Sequence, residues 1–343
     1  MIPLSVLDLS FVTTGTPPRM ALANSIDLAR RVDELGYSRY WLAEHHSLPS
    51  VASSAPEIMI GQIAAVTRNI RVGAGGIMLT NHAPLMVAER FKMLAALFPD
   101  RIDLGLGRAP GTDQVTAYAL RRRLEERKGD DFLERLQELI SWESRDFPEN
   151  HPFNNVFAMP SDAPLPPIWL LGSSNYSSEL AGMVGAGYAF AHHFSDFDGI
   201  AAMLSYRQRF TQGWRETPYA ILTVAAIVAD TDEEADRLAS SWDLNWLRRR
   251  RNELLPYPSP EEALAFPYSP DERARLYEHR KRLFVGSPQS VGRSLRAIAD
   301  ATKADELMIT TPVFDHGARR RSYELLAKEW GLTSPVEPEK MFA

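Results

Sequence analysis

No cysteine occurs among the 343 residues, which excludes disulfides, thiolate metal ligands and a cysteine nucleophile while leaving the compartment open. Long apolar runs are missing too. No stretch approaches the roughly 18 to 20 apolar residues of a membrane-spanning helix. The opening MIPLSVLDLSF lacks a basic leader followed by a long apolar region and a small-residue cleavage site, so a cytoplasmic location is the expectation. Positive charge is not in excess. The formal charge of -6 gives no electrostatic footprint for nucleic acid, and the basic run Arg248 to Arg251 sits in a charged helical pattern that reads as a solvated face or a lid surface. Repeats of solenoid period and low-complexity segments are absent.

What is present is a regular alternation. With 45% hydrophobic residues there is material for a large core. Short runs rich in β-branched and apolar residues read as strands at about 4–12, 39–43, 70–79, 101–106, 167–172, 187–192, 219–229 and 305–311. Helical patterns fall between them. In MALANSIDLARRVDELG the residues Leu22, Ile26, Ala29, Val32 and Leu35 form one stripe, and Gly36 is placed to end the helix. In PLMVAERFKMLAALFP, Pro84 opens the first turn and Val87, Phe91, Leu94 and Leu97 make the buried face. Further helices are expected near 54–68, 112–144, 174–186, 196–212, 287–302 and 317–331. Eight strands, each followed by a helix, predict an α/β fold, a (β/α)8 TIM barrel. An open doubly wound sheet shares this element order, because periodicity does not report closure. Two stretches break the repeat: about 145–165 reads as a loop with a short strand, and about 232–285, between strands seven and eight, as a proline-interrupted insertion of the kind that forms lids.

In a barrel of this type, chemistry sits where the strands end. Strand two ends in Glu44, His45 and His46, strand three in Gly75 and Gly76 and then Thr80, Asn81 and His82, and strand four in Gly107 and Arg108. Strand five ends in Gly172, Ser173, Ser174 and Asn175, and strand six in His192 and His193. Adjacent strand residues diverge, so His45 and His46 share a metal only if the chain bends, and neither H-x-H on strand one nor H-E-x-x-H is present. GAGG (Gly73 to Gly76) and GLGRAPG (Gly105 to Gly111) are not the dinucleotide fingerprint. They fit either close backbone packing or a strand against which a flat ring lies. Ser173, Ser174, Ser177 and Ser178 bracket a helix start, where free N–H groups favour a phosphate, although serine N-capping explains the same pattern. Arg108 could add a charge-assisted contact to that phosphate.

Together these segments resemble the bacterial luciferase-like flavin-dependent monooxygenases over nearly the whole chain. LAEHH is similar to that family's strand-two ending, IRVGAGGIMLTNHAPLMVAERFKML to its third strand and following helix, FPDRIDLGLGRAPGTD to its fourth, and VGSPQSVGRSLRAIADATKADELMITTP to its last repeat. The resemblance implies one barrel domain over 1–343 with a lid-like insertion at about 232–285, and an enzyme that oxidises an aldehyde or another small organic substrate with reduced FMN and O2 through a C4a-peroxyflavin. It makes His45 the catalytic imidazole and Glu44, Gly75, Gly76, Arg108, Gly172, Ser173 and Ser174 cofactor-binding residues. The Gly75–Gly76 peptide is expected to be cis, and one of Arg121, Arg122 and Arg123 to join the phosphate site. No metal is expected. Light-emitting luciferases carry a cysteine at the position of Leu106, so light emission is not implied. With no NAD fingerprint in the chain, a separate flavin reductase would supply the reduced FMN; a homodimer is implied as well. A deazaflavin-dependent oxidoreductase and a non-catalytic flavin-binding protein on the same fold remain alternatives.

Overall fold

The structure is a computed structural model that describes residues 1–121 and 131–334. Eight parallel strand positions close on themselves: β1 (Leu4–Asp8), β2 (Arg39–Leu42), β3 (Arg71–Ala74), β5 (Ile102–Gly107), β6 (Ile168–Gly172), β7 (Gly187–Ala191), β8 (Ala220–Val228) and β10 (Glu306–Thr310). Pairing of β10 with both β1 and β8 seals the barrel. The third strand resumes after Gly75 and Gly76 as β4 (Ile77–Met78), which pairs with β5. Strand one is shorter than its apolar run; beyond Ser10 only isolated bridges at Phe11 and Thr13 remain.

The surrounding helices are α1 (Pro18–Glu34), α2 (Pro56–Val66), α3 (Pro84–Leu97), α4 (Gln114–Arg121), α5 (Phe132–Ser144), α6 (Asn175–Val184) and α7 (Gly199–Arg209). In the last third come α8 (Asp232–Arg250), α9 (Pro260–Ala265), α10 (Pro270–Arg280), α11 (Pro288–Thr302) and α12 (His316–Trp330). Proline occupies the first turn of α1, α2, α3, α9, α10 and α11, where its missing N–H costs nothing. The α1 stripe packs as its spacing predicts, and Gly36 follows the helix at φ +87°. The helix expected over 112–144 is divided into α4 and α5; residues 122–130, including Arg122 and Arg123, lie outside the described residues. Over 145–165 the expected strand is replaced by a 3-10 turn at Pro152–Asn155. Pro152 fixes φ there and His151 Nδ1 accepts the Phe153 N–H at 3.3 Å, so the hydrogen bonding closes locally instead of onto a sheet.

Inside the barrel, Leu7, Trp41, Ala43, Trp169, Ala189, Ile221 and Met308 form an apolar plug. A charged layer closes its N-terminal end: Arg39 bridges Asp103 at 2.7 Å and Glu306 at 3.0 Å, and Arg71 reaches Asp103 at 2.6 Å. Burial alone would raise the Asp103 carboxyl, but Arg39 and Arg71 hold it below its ordinary value. At the exit of β1, Asp8 faces outward into a fully buried pair with Arg319 of α12 (2.5 Å), and Tyr40 donates to the same carboxylate.

The insertion is a folded layer that ends in β9 (Leu283–Gly286), a strand the apolar pattern does not announce; β9 pairs with the far half of β8, at Ala225–Val228. Acids fill the first turn of α8 and arginines its last, as the helix dipole favours. Ser269 and Glu272 form a capping box at α10. The connection from α8 to α9 is tied across the barrel rim. Tyr257 N–H donates to Val12 O (2.8 Å), Thr14 N–H to Tyr257 O (2.9 Å), and the buried Tyr257 hydroxyl to Pro312 O (2.7 Å).

Candidate active site

Past Leu42 the chain leaves the sheet, and the polar residues after β2 separate. Ala43 N–H still donates to Asp8 O at 3.1 Å, but His45 N–H turns to Ser53 O (2.9 Å) and His46 N–H to Gly111 O (3.3 Å). The imidazoles therefore have different surroundings.

Glu44 is fully buried, with both carboxylate oxygens engaged. Its Oε1 accepts from His46 Nε2 (2.8 Å) and His82 Nε2 (2.9 Å), and its Oε2 from the Met78 N–H (2.8 Å). Burial pushes this carboxyl up, yet the hydrogen bonds from His82, His46 and Met78 bring it below the ordinary glutamate value. Glu44 thus holds two imidazoles and the start of β4. Its expected place beside a cofactor is therefore combined with a role in holding the loops after β2 and β3. The two histidines spend their Nε2 atoms on the carboxylate, and among the described residues no group of three or more His, Cys, Asp or Glu is arranged to hold a metal.

His45 differs. Its buried Nδ1 has no hydrogen-bond partner among the described residues. Burial is the main reason its pKa is lowered to about 4, with the Arg249 charge adding to the effect. His193, after β7, is likewise pushed down to about 4 by burial, and its Nδ1 lies 3.4 Å from Thr223 O. His45 is among the groups that lower His193, so the loops after β2 and β7 approach one another.

The Gly75–Gly76 peptide is cis. The two residues are glycine for a reason internal to the protein: a Cβ on Gly76 would lie 2.6 Å from Gly105 O, and one on Gly75 2.8 Å from Leu7 Cδ1. Backbone crowds Gly76, whereas the side chains of Leu7 and Trp41 crowd Gly75. Gly172 is equally constrained, by Ser177 Oγ at 1.6 Å from a built Cβ.

The ends of β5 and β6 bring Arg108, Tyr176 and the start of α6 together. The Arg108 guanidinium stacks over the Tyr176 ring at 4.2 Å, which brings the β5 end against the first turn of α6. Ser174 sits at the N-cap of α6 without accepting a capping hydrogen bond. The Ser177 and Ser178 hydroxyls instead donate back to Ser174 O (3.1 Å) and Asn175 O (2.7 Å), so serine capping does not account for the cluster. Ser173 O accepts from Ser195 Oγ at 2.7 Å. Arg121 is directed to Asn81 Oδ1 (3.0 Å) and Thr80 Oγ1 (2.5 Å), and with His82 and Arg135 these residues line a cavity of about 240 Å³. A larger hollow of about 460 Å³, lined by Pro99, Asp100, Pro166 and Pro167, opens where β5 and β6 begin. It lies at the opposite end of the strands from the histidines. Tyr176 carried no signal as a single residue in the sequence.

Comparison with known proteins follows the same lines. The family model described as luciferase-like monooxygenase matches residues 3–305. The uncharacterized protein YvbT of Bacillus subtilis (strain 168) is 46% identical over 331 residues, covering 95% of this chain and 96% of that protein. The N-acetyl-S-alkylcysteine monooxygenase of the same organism is 32% identical over 329 residues, covering 95% and 98%. The crystal structure of apo-MsnO8 superposes with a TM-score of 0.89 at 39% identity, over 98% of this chain and all of that one.

Proposed function

Because the chain belongs to the luciferase-like monooxygenase family, we propose that it uses reduced FMN and O2, the flavin delivered by a separate reductase, to oxygenate an aldehyde or another small organic substrate. The observation that carries this reading is His45, an imidazole at the barrel mouth whose buried Nδ1 has no partner among the described residues. A buried polar atom left unpaired costs free energy that a bound ligand can recover. The donor set fits a flavin mononucleotide: Arg108 with Tyr176, and the uncapped start of α6 at Ser173 and Ser174, suit its phosphate. When bound, reduced flavin supplies the reactivity toward oxygen that no side chain has. The protein's part is to bind, orient and shield. Glu44 fixes His46 and His82, His45 holds or passes a proton at Nδ1, and the tied insertion keeps water from the mouth.

A fluorescence titration with FMN, oxidised and reduced, is the direct test. The protein should bind it, Arg108→Met should weaken FMN about tenfold or more, and riboflavin, which lacks the phosphate, should bind both proteins alike. Absence of binding in either redox state overturns the proposal.

The same reading includes a homodimer. Helices α2 and α3 pack side by side, and Ile58, Met86, Met93 and Leu97 on them are exposed. Met86, Met93 and Leu97 recur at the spacing of one helical face, and an exposed apolar stripe of this kind marks an interaction surface. Sedimentation should give twice the 38.5 kDa chain mass, and Met93→Asp with Leu97→Asp should shift it to the monomer.

A further inference from the structure

We propose that the N-terminal end of the barrel holds a small monovalent anion, of the kind and size of chloride, between Arg215 and Trp169. Arg215 lies in the connection from α7 to β8, and its backbone is pinned there. Its N–H donates to Gly185 O at 2.8 Å, and its O accepts from the Gly213 N–H at 3.2 Å. The guanidinium carbon stands 5.3 Å from the Trp169 ring centroid and 5.1 Å from that of Tyr219. The two rings meet edge-on at 5.6 Å. Trp169 is the second residue of β6 and Tyr219 immediately precedes β8, so the group sits where these strands begin.

Two donors in this group have no acceptor among the described residues. One is the indole N–H of Trp169, a side chain only 1% exposed, and the other is the buried Nε–H of Arg215. The acids around them are already matched. Asp103 takes Arg39 and Arg71; Glu306 takes Arg39, the Ser5 hydroxyl and the Tyr219 hydroxyl (2.8 Å); Asp305, which also accepts the Ala220 N–H, takes Arg207. Arg39 and Arg71 therefore balance Asp103 and Glu306, and Arg215 adds a positive charge that has no carboxylate of its own. The ring faces offset part of the cost of holding a cation there, but they supply no lone pair for either N–H.

An occupant that suits this place accepts two N–H groups and brings one negative charge. Water would supply the acceptor without the charge. A halide ion supplies both, and it has no donor of its own to leave unmatched beside a guanidinium and an indole. Sulfate or phosphate would bring a second negative charge that the layer does not balance. The site is independent of the flavin reading, because the plug of Leu7, Trp41 and Met308 lies between it and the mouth.

The test replaces sodium gluconate by sodium chloride at constant ionic strength, in solutions of the full chain. Melting temperature is followed by circular dichroism, and bound chloride by the line width of the chloride NMR signal. Wild type should show a melting temperature that rises with chloride and then saturates, as a ligand of the folded state requires, with a matching excess line width. Arg215→Met should weaken chloride about tenfold or more. Arg215→Lys, which keeps the charge without the planar fork, should fall between the two, and Trp169→Phe, which keeps a ring and loses the N–H, should also weaken the ion. Should Trp169→Phe fail to fold, the wild-type and Arg215 arms still decide. A melting temperature equal in the two salts, the result for a site that holds water, overturns the inference. So does a rise that never saturates, or a chloride response that survives Arg215→Met.

Discussion

Lowering the pH from about 6.5 to 4 is expected to destabilise this barrel strongly, through buried imidazoles that begin to act above the ordinary carboxylate range. His45, His193 and His279 each have a pKa near 4 in the folded chain against an ordinary 6.5, burial being the first cause in all three. For His279 the burial is a ring sandwich, with Trp242 at 5.4 Å and Trp246 at 4.4 Å, both nearly parallel, and its Nε2 has no partner among the described residues. Arg282, Arg280 and Arg250 depress it further. The sign follows from proton counting. Between pH 6.5 and 4 the unfolded chain binds a proton at each imidazole that the folded chain refuses, so stability falls as pH falls and levels off, for these groups, below 4. One such group contributes at most about 1.4 kcal/mol per pH unit, and three acting together approach about 4 kcal/mol per pH unit. Typical stabilities are about 5–15 kcal/mol. Asp8, Asp103 and Glu44, whose pKa values are lowered, add their loss only as the pH drops through their own depressed values. Urea midpoints followed by circular dichroism should decline steadily from pH 7 to 4.5, and His279→Phe, which keeps a ring between the tryptophans, should flatten the decline by one group's share. A midpoint that does not move over that interval contradicts the burial of neutral imidazoles.

The barrel was legible in the sequence because each of its strands is a run of apolar residues bounded by helix signals, a pattern that repeats eight times. Strand β9 was not, since LFVG is four residues long and follows a proline-broken stretch with no periodicity to read. The strand expected in 145–165 failed for a related reason: aromatic residues there pack on one another, Phe147 against His151 and Trp142 against Phe153, instead of facing a sheet. At the site, strand ends pointed to the right loops, but the partners joining them are distant in sequence. Nothing local tells that Glu44 will receive His82, 38 residues on, or that Arg108 will find Tyr176. One signal was available and easy to overlook: Trp242 and Trp246 stand at i and i+4 on α8, one helical face, which receives His279 and Arg250.

Replacing His45 by alanine is expected to lower kcat by about 10²- to 10⁴-fold, the range a positioned proton-transfer group supplies, while leaving FMN affinity within a few fold. The separation of the two effects follows from the geometry. Phosphate contacts are assigned to Arg108 and α6, whereas His45 brings to the mouth a side chain with an unpartnered buried nitrogen. Its pKa near 4 keeps it neutral at physiological pH, so it can accept a proton there, and kcat/KM should not vary through this group between about pH 6 and 8. Glu44→Gln makes a useful contrast. An amide oxygen placed to keep both imidazoles turns its NH2 group onto the Met78 N–H, and the charge that favours all three donors is removed. The variant should lower kcat through displaced loops and also lower the melting temperature, whereas His45→Ala should leave melting close to wild type. Turnover is measured with reduced FMN supplied by an independent reductase and product formation followed directly. A flavin carrier without chemistry of its own would show no change in any flavin reaction on His45→Ala, and that result would set aside the catalytic role.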